Sequence, residues 1–339
     1  MARSTAELEA ARHDPKLANV VYHDWEASTY DAKWSISFDE RCIRYARERF
    51  TTIAGGTGWP YGRALELGCG TGFFLLNLKL AGVLAEGAVT DISPGMVAVA
   101  QRNAESLGFS VDGRVADAEA IPYDDDSFDL VVGHAVLHHI PDVEQALREV
   151  LRVLRPGGRF VFAGEPTRHG DVIARRLSRA TWWATTGVGR RLAPGFVRAP
   201  DELAASSAEA ALEALVDLHT FDPSELARTA LRAGAVDVRT RTEELTAAWF
   251  GWPVRTFEAA VRRDRLGWPW AVFVYRTWLA LSAVDARVMS RVVPAGLFYN
   301  VLVTGTKPAA LGAHPLACRR SGSMINGTEG AGRGRSAGR

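Results

Sequence analysis

From residue 63 onward, apolar residues come in two spacings that alternate. Short apolar runs of strand length sit at Arg63–Leu67, Ala88–Asp91, Ser110–Ala116, Phe128–Val132 and Arg159–Gly164. Between them lie stretches with a helical spacing of apolar positions, at Gly72–Ala81, Pro94–Leu107 and 143–154. Ser93 is the expected N-cap of the second helix, with Pro94 in its first turn. Asp142 caps the third, which turns Val143, Ala146, Leu147, Val150, Leu151 and Leu154 to one side and ends at Pro156-Gly157-Gly158. Later, Phe221-Asp222-Pro223 opens a helix through Ala233, and Val236–Thr242 and Leu297–Thr306 have the composition of a sixth and a seventh strand. Strands alternating with helices in this way predict an α/β fold with a doubly wound, largely parallel sheet.

The flanking and intervening segments differ in character. Residues 1–20 are polar and expected to be frayed, Val21–Phe50 helical, and Thr51–Gly62 a loop, so that 1–62 forms an N-terminal helical segment or lid. The main domain is expected over 63–308, with helical insertions at about 166–219 and 246–296 over the carboxyl edge of the sheet. Seven of the ten tryptophans lie beyond residue 165. The tail, 309–339, is rich in Gly, Ser and Arg and expected to be disordered. Leu266–Val284 is the least polar stretch, but Pro269 and a mid-span Arg276 argue against a membrane-spanning helix.

Composition narrows the function classes. Hydrophobic residues at 47% and charged residues at 23% are those of a soluble globular chain, and a net charge of +1 gives no electrostatic argument for general nucleic-acid binding, so no nucleic-acid partner is expected. The three cysteines, Cys42, Cys69 and Cys318, have no metal or redox spacing, and no apolar leader follows Met1, so a cytoplasmic protein without structural disulfides is expected.

The chemistry begins at Glu66-Leu67-Gly68-Cys69-Gly70-Thr71-Gly72, between the first strand and the first helix. Glycines here let the backbone turn sharply and approach a ligand. The dinucleotide pattern G-x-G-x-x-G requires glycine at 73, where Phe73 stands, and no G-x-x-x-x-G-K-[ST] loop occurs. A nucleoside cofactor without a pyrophosphate fits the loop better.

This segment resembles motif I of the class I S-adenosylmethionine-dependent methyltransferases. The resemblance continues through Asp91, Asp117-Ala118, Phe128-Asp129-Leu130-Val131-Val132, Leu137-His138-His139-Ile140-Pro141-Asp142 and Leu154-Arg155-Pro156-Gly157-Gly158-Arg159-Phe160. It implies a Rossmann-like, seven-stranded sheet whose last strand is antiparallel, and S-adenosyl-L-methionine as cofactor. It further implies that Gly68, Cys69, Gly70 and Gly72 pass close to the methionine part and that Glu66 works near its amino group. Asp91 would accept from the ribose hydroxyls, and Ile92 and Met96 would pack on adenine. Asp117 and the Ala118 amide would read the adenine edge. Trp25–Asp31 resembles a segment that folds over the cofactor in related enzymes, which brings Tyr30 toward the sulfonium, whose charge an aromatic face attracts.

Methyl transfer to a hydroxyl needs a base, and His134 after the fourth strand and Glu165 after the fifth are the candidates. His138 and His139 are expected in structural roles. His134 and His138 are four apart, but no third ligand is evident, so no metal is expected. Arginines at 168, 175, 176, 179, 190, 191 and 198 are interleaved with Trp182, Trp183 and Phe196, a composition that suits either a solvated helix or a peripheral membrane contact. The expected activity is methylation of a small, lipid-like, polyketide, quinone or sugar-containing acceptor, with O-methylation first. The alternatives are a non-catalytic S-adenosylmethionine-binding scaffold and a nicotinamide-dependent oxidoreductase. Oligomeric state is not legible.

Overall fold

The computed structural model describes residues 13–56, 58–193, 195–204 and 216–309. The tail expected to be disordered lies outside the described residues but for Ala309, as does most of the N-terminal stretch expected to be frayed. The seven strands are β1 (Tyr61–Leu67), β2 (Leu84–Asp91), β3 (Asp112–Val115), β4 (Phe128–His134), β5 (Leu154–Pro166), β6 (Val236–Glu243) and β7 (Asn300–Thr306). They form one sheet in the order β3-β2-β1-β4-β5-β7-β6. All pairings are parallel except those of β7, which runs antiparallel to β5 and β6. The strand order reverses between β1 and β4, and the crevice beyond their carboxyl ends is where such sheets take ligands.

Both faces of the sheet are covered, so the central strands are apolar on both sides. Leu65, Val131, Phe160 and Phe162 face one core, shared with α6 (Val143–Val153) and α8 (Pro223–Arg232). The alternate residues Ala64, Val132, Val161 and Ala163 face the other, shared with α3 (Glu40–Ala54) and α4 (Phe73–Leu80). This is the period-two alternation of a pleated strand. Expected caps form: Ser93 Oγ accepts from the Met96 amide at the start of α5 (Pro94–Ser106), Asp142 from Gln145, and Asp222 from Ser224 and Glu225. Helix α6 ends at Val153, earlier than Pro156-Gly157-Gly158, because those three residues already belong to β5.

The N-terminal part corrects two expectations. Order begins before residue 21: Asp14 accepts from the Lys16 and Leu17 amides and Pro15 occupies the first turn of α1 (Pro15–Glu26). The stretch from 21 to 50 is three helices, because Ser35 adopts φ 54° and closes α2 (Tyr30–Trp34) before Asp39 caps α3. Helix α1 packs on α5, where Asp24 accepts from Ser93 Oγ and the Gly95 amide.

The two later segments supply α7 (Arg168–Trp183), α9 (Thr246–Ala260) and α10 (Trp268–Val284). Helix α9 packs against both α7 and α10. Its amino end is held by Asp285, which accepts from the amides of Leu245, Thr246 and Ala247. No helix among the described residues is long and apolar enough to cross a membrane.

Candidate active site

The glycine loop leaves β1 in a left-handed conformation that the sequence predicts: Gly68, Gly70 and Gly72 have φ of 58°, 49° and 87°. Their roles differ. A Cβ on Gly68 would stand 2.1 Å from Val136 Cγ2, so the loop lies against the β4 exit. A Cβ on Gly72 would meet Leu76 at 2.8 Å and Ala100 at 3.3 Å, so this glycine serves helix packing and does not line the cleft. Gly70 faces Tyr30, whose Cε1 lies 3.9 Å from its ideal Cβ position. Gly68→Ala combines a left-handed alanine with an overpacked contact and is expected to cost about 2–4 kcal/mol, measured by chemical denaturation.

Two buried carboxylates flank the loop. Glu66 accepts from the Phe74 and Leu75 amides at 3.3 and 3.1 Å, holding the first turn of α4. Burial pushes its pKa up to about 8 against the pull of those amides, and the nearby Asp91 adds to the rise. Asp91, at the end of β2, accepts from the Gly70 and Ser93 amides at 2.9 Å each. Burial raises it to about 6 despite these bonds. Cys69 is buried, and its thiol donates to the Gly70 carbonyl. Both carboxylates, Cys69, Ile92 and Ala118 line one cleft with Tyr30 and His134. Met96 does not: it is 1% exposed and lies in the core.

Asp117 lines the cleft but is already engaged. Lys16 Nζ donates to it at 2.6 Å and to Glu119 at 2.5 Å, while the Glu119 amide also donates to Asp117. Lys16 itself lines the cleft, as do Asn19 and His23 from the same helix. These residues fall in or beside the part of the chain expected to be frayed, which is why the sequence did not reveal them. Their signal was the D-P-K cap at 14–16.

His134 is the last residue of β4, not the first after it. Its Nε2 lies 3.2 Å from the Tyr45 hydroxyl, and the rings of Phe73, Phe74 and Tyr45 enclose it. Burial drives its pKa down to about 4, with Glu165 opposing and Arg49 reinforcing the shift. Tyr45 in turn carries the Arg49 guanidinium 3.9 Å from its ring centre, and Arg49 is held by Glu243 at 2.9 Å and Glu244 at 3.0 Å. This link from α3 to the end of β6 was not legible in the sequence, since its members are some 195 residues apart.

Glu165 is not placed as a base. It lies inside β5, is fully buried and does not line the cleft. Its oxygens accept from the amides of Val136, Leu137 and His138 and from His138 Nδ1 at 2.8 Å. Burial alone would raise its pKa, but the His138 bond and charge and the loop amides bring it below its ordinary value. Glu165 therefore fastens the β4–α6 connection and cannot present a free oxygen to a substrate. His138 has the complementary shift: burial lowers it, but Glu165, with Asp217 and Asp171, outweighs burial and raises it. His138, His139 and Asp217 each offer a donor atom within 4.8 Å of the others. This trio does not include His134, so it is not the His134/His138 pair weighed in the sequence, and only the fold brings Asp217 to it.

Sheet order, glycine loop and cleft accord with the fold that the resemblance to the class I S-adenosylmethionine-dependent methyltransferases implies. Residues 65–162 match the family model described as a methyltransferase domain, and the chain carries that domain. It is 43% identical over 99 residues to a demethylmenaquinone methyltransferase of Thermus thermophilus, covering 29% of this chain and 45% of that protein. It is 34% identical over 174 residues to a malonyl-[acyl-carrier protein] O-methyltransferase of Methylococcus capsulatus, covering 48% and 60%. The chain thus spans about half the length of these curated relatives. Among solved structures, a phosphoethanolamine N-methyltransferase 2 of Haemonchus contortus in complex with S-adenosyl-L-methionine superposes with a TM-score of 0.52 at 15% identity, over 84% of this chain and 57% of that one. That likeness bears on the fold alone.

Proposed function

We propose that this protein transfers a methyl group from S-adenosyl-L-methionine to a small, lipophilic acceptor, with the cofactor in the cleft between β1, β2 and β4. The observation that carries this reading is the pair of buried carboxylates, Glu66 and Asp91, on either side of a glycine loop. Both have pKa values raised by burial, so each gains from a ligand that supplies hydrogen-bond donors or positive charge. An acidic residue at the end of β2 would also serve a dinucleotide's ribose, so it is Phe73, in place of the third glycine, that disfavours the nicotinamide alternative. A nucleoside carrying an ammonium and a sulfonium suits the two carboxylates.

In this reading Asp91 accepts from the ribose hydroxyls, and Glu66 works near the amino group. Gly68, Cys69 and Gly70 pass the methionine part, and Tyr30 lies over the loop. Ile92 packs on adenine, while Asp117 and the Ala118 amide read its edge. Lys16 and the Asp117 carboxylate then form one rim of the site. The cofactor supplies a methyl already activated on sulfur; the protein has to hold the acceptor in line and exclude water, which contributes on the order of 7–11 kcal/mol.

His134 is the remaining base candidate. With a pKa near 4 it is neutral at physiological pH, the form that accepts a proton, and the Tyr45 hydroxyl fixes its Nε2. For a hydroxyl acceptor, His134→Asn is expected to lower kcat about 10²-fold or more without changing cofactor affinity. Tyr45→Phe is expected to cost less. Full turnover by both variants would remove His134 from the chemistry and favour a carbon acceptor.

Calorimetric titration with S-adenosyl-L-methionine and, separately, NADPH tests the cofactor. Labelled methyl transfer into fractionated lipid extract tests the activity. No binding of S-adenosyl-L-methionine overturns the reading; binding with no transfer to any fraction leaves a scaffold.

A further inference from the structure

Helix α10 does not end where its α-helical geometry does. The helical backbone continues through a π-turn at Asp285–Met289 to Val292, giving 25 unbroken residues from Trp268. That is about 37 Å. Residues 268–284 include none that is buried. The outward side carries Trp268, Phe273, Leu279, Val284, Val288 and Val292, of which Trp268 and Val292 are 79% and 71% exposed.

The charges on this helix are one-sided. Arg276, Arg287 and Arg291 are exposed. The helix has one acid, Asp285, and it is 2% exposed because it turns inward to cap α9. The outward face is therefore apolar and basic with no acid on it, in a chain whose net charge is only +1. The neighbouring 168–193 segment repeats the pattern, with six arginines, one acid and an exposed Trp183 and Leu192.

We propose that the face of residues 268–292 is a docking surface for an anionic lipid bilayer, on which the helix lies in the plane of the interface. An arginine-bearing helix with Trp, Phe, Leu and Val on the same exposed side suits the headgroup boundary, where the apolar side chains enter by about 5–10 Å and the guanidinium groups meet phosphates. Arginine also snorkels, so its stem covers apolar surface while its head stays at the phosphates. The absence of any helix apolar enough to cross a membrane among the described residues accords with contact on one leaflet. A second copy of the chain is the competing occupant, but like copies would bring three unpaired arginines against three others. The inference rests on this surface and not on the methyl-transfer reading.

Co-sedimentation of the full chain with phosphatidylcholine vesicles, with and without phosphatidylglycerol, tests it. Binding is expected only to the anionic vesicles and falls with added salt. Arg276→Glu, Arg287→Glu and Arg291→Glu together should abolish it, each neutralised charge alone being worth about fivefold in partition. The matching Arg→Lys variants should retain binding, and Trp268→Ser with Phe273→Ser should weaken it at constant charge. All variants should bind S-adenosyl-L-methionine as the parent does, which separates failure here from failure of the proposed activity. Absence of anionic binding, equal binding to neutral vesicles, or a dimer in light scattering that these substitutions dissociate would each overturn the proposal.

Discussion

Asp91→Asn is expected to bind S-adenosyl-L-methionine about 150-fold more weakly, near 3 kcal/mol, and to lose the pH dependence of stability that Asp91 gives the parent. Loss of binding follows from removing a charged acceptor, whose hydrogen bonds are worth about 1.5–3 kcal/mol each. The Gly70 and Ser93 amides donate to different oxygens of Asp91, so asparagine accepts from only one of them and turns its NH2 toward the other. Burial has pushed this carboxyl up to about 6 from 3.8. A carboxyl raised in the folded state favours folding when protonated, so the unliganded parent loses stability as pH rises from about 4 through 6. The variant lacks that loss. Cofactor binding has the opposite dependence in the parent: it needs ionised Asp91 and should fall about tenfold per pH unit below 6. Titration calorimetry and thermal melts between pH 5 and 8 read both effects. An Asp91→Asn protein with parental affinity would remove Asp91 from the site.

Glu165→Gln is expected to lower stability by about 3–5 kcal/mol, the usual cost of removing one partner of a buried charge pair. In a domain of this size that is on the order of 10 °C in Tm. His138 is left without its carboxylate, and three loop amides face a side chain that also presents a donor. The pH dependence identifies the pair. Glu165 has a depressed pKa, so its contribution is present above the unfolded value near 4.5 and is lost as pH falls through the folded value. His138 has a raised pKa, so its contribution is complete below the unfolded value near 6.5 and is lost as pH rises through the folded value. The pair is worth most between those limits, and the variant's deficit should be largest there. If Glu165→Gln kept its Tm and lost only turnover, Glu165 would be a base after all.

These two carboxylates show how differently the site residues were legible. Asp91 stands at the end of an apolar run, before Ser93-Pro94, and that local order is enough to place it at the mouth of β2. Glu165 has the same local setting at the end of β5, yet its side chain turns back under the β4–α6 connection. Which way a strand-end carboxylate points depends on what lies beneath it, and that is set by residues nearly thirty positions away. Met96 and Gly72 moved from the expected cofactor contacts into helix packing for the same reason. Tyr45, Arg49 and Asp217 carry no motif at all, and Lys16 only the D-P-K cap of its helix; they come to or beside the site only because α1, α3 and the segment after α7 pack over the sheet.

By itself the sequence determined the strand and helix order, the glycine loop, its departure from the dinucleotide pattern at Phe73, and the capping residues Ser93, Asp142 and Asp222. All of these act over a few residues, through backbone conformation, periodicity and local hydrogen bonds. Tertiary structure alone decided that His134 is paired with Tyr45, that Glu165 is buried and bonded to the amides of the β4–α6 connection, and that Asp285 turns inward and leaves the 268–292 face without an acid. Those outcomes depend on burial and on partners distant in the chain, and burial is a property of the packed molecule.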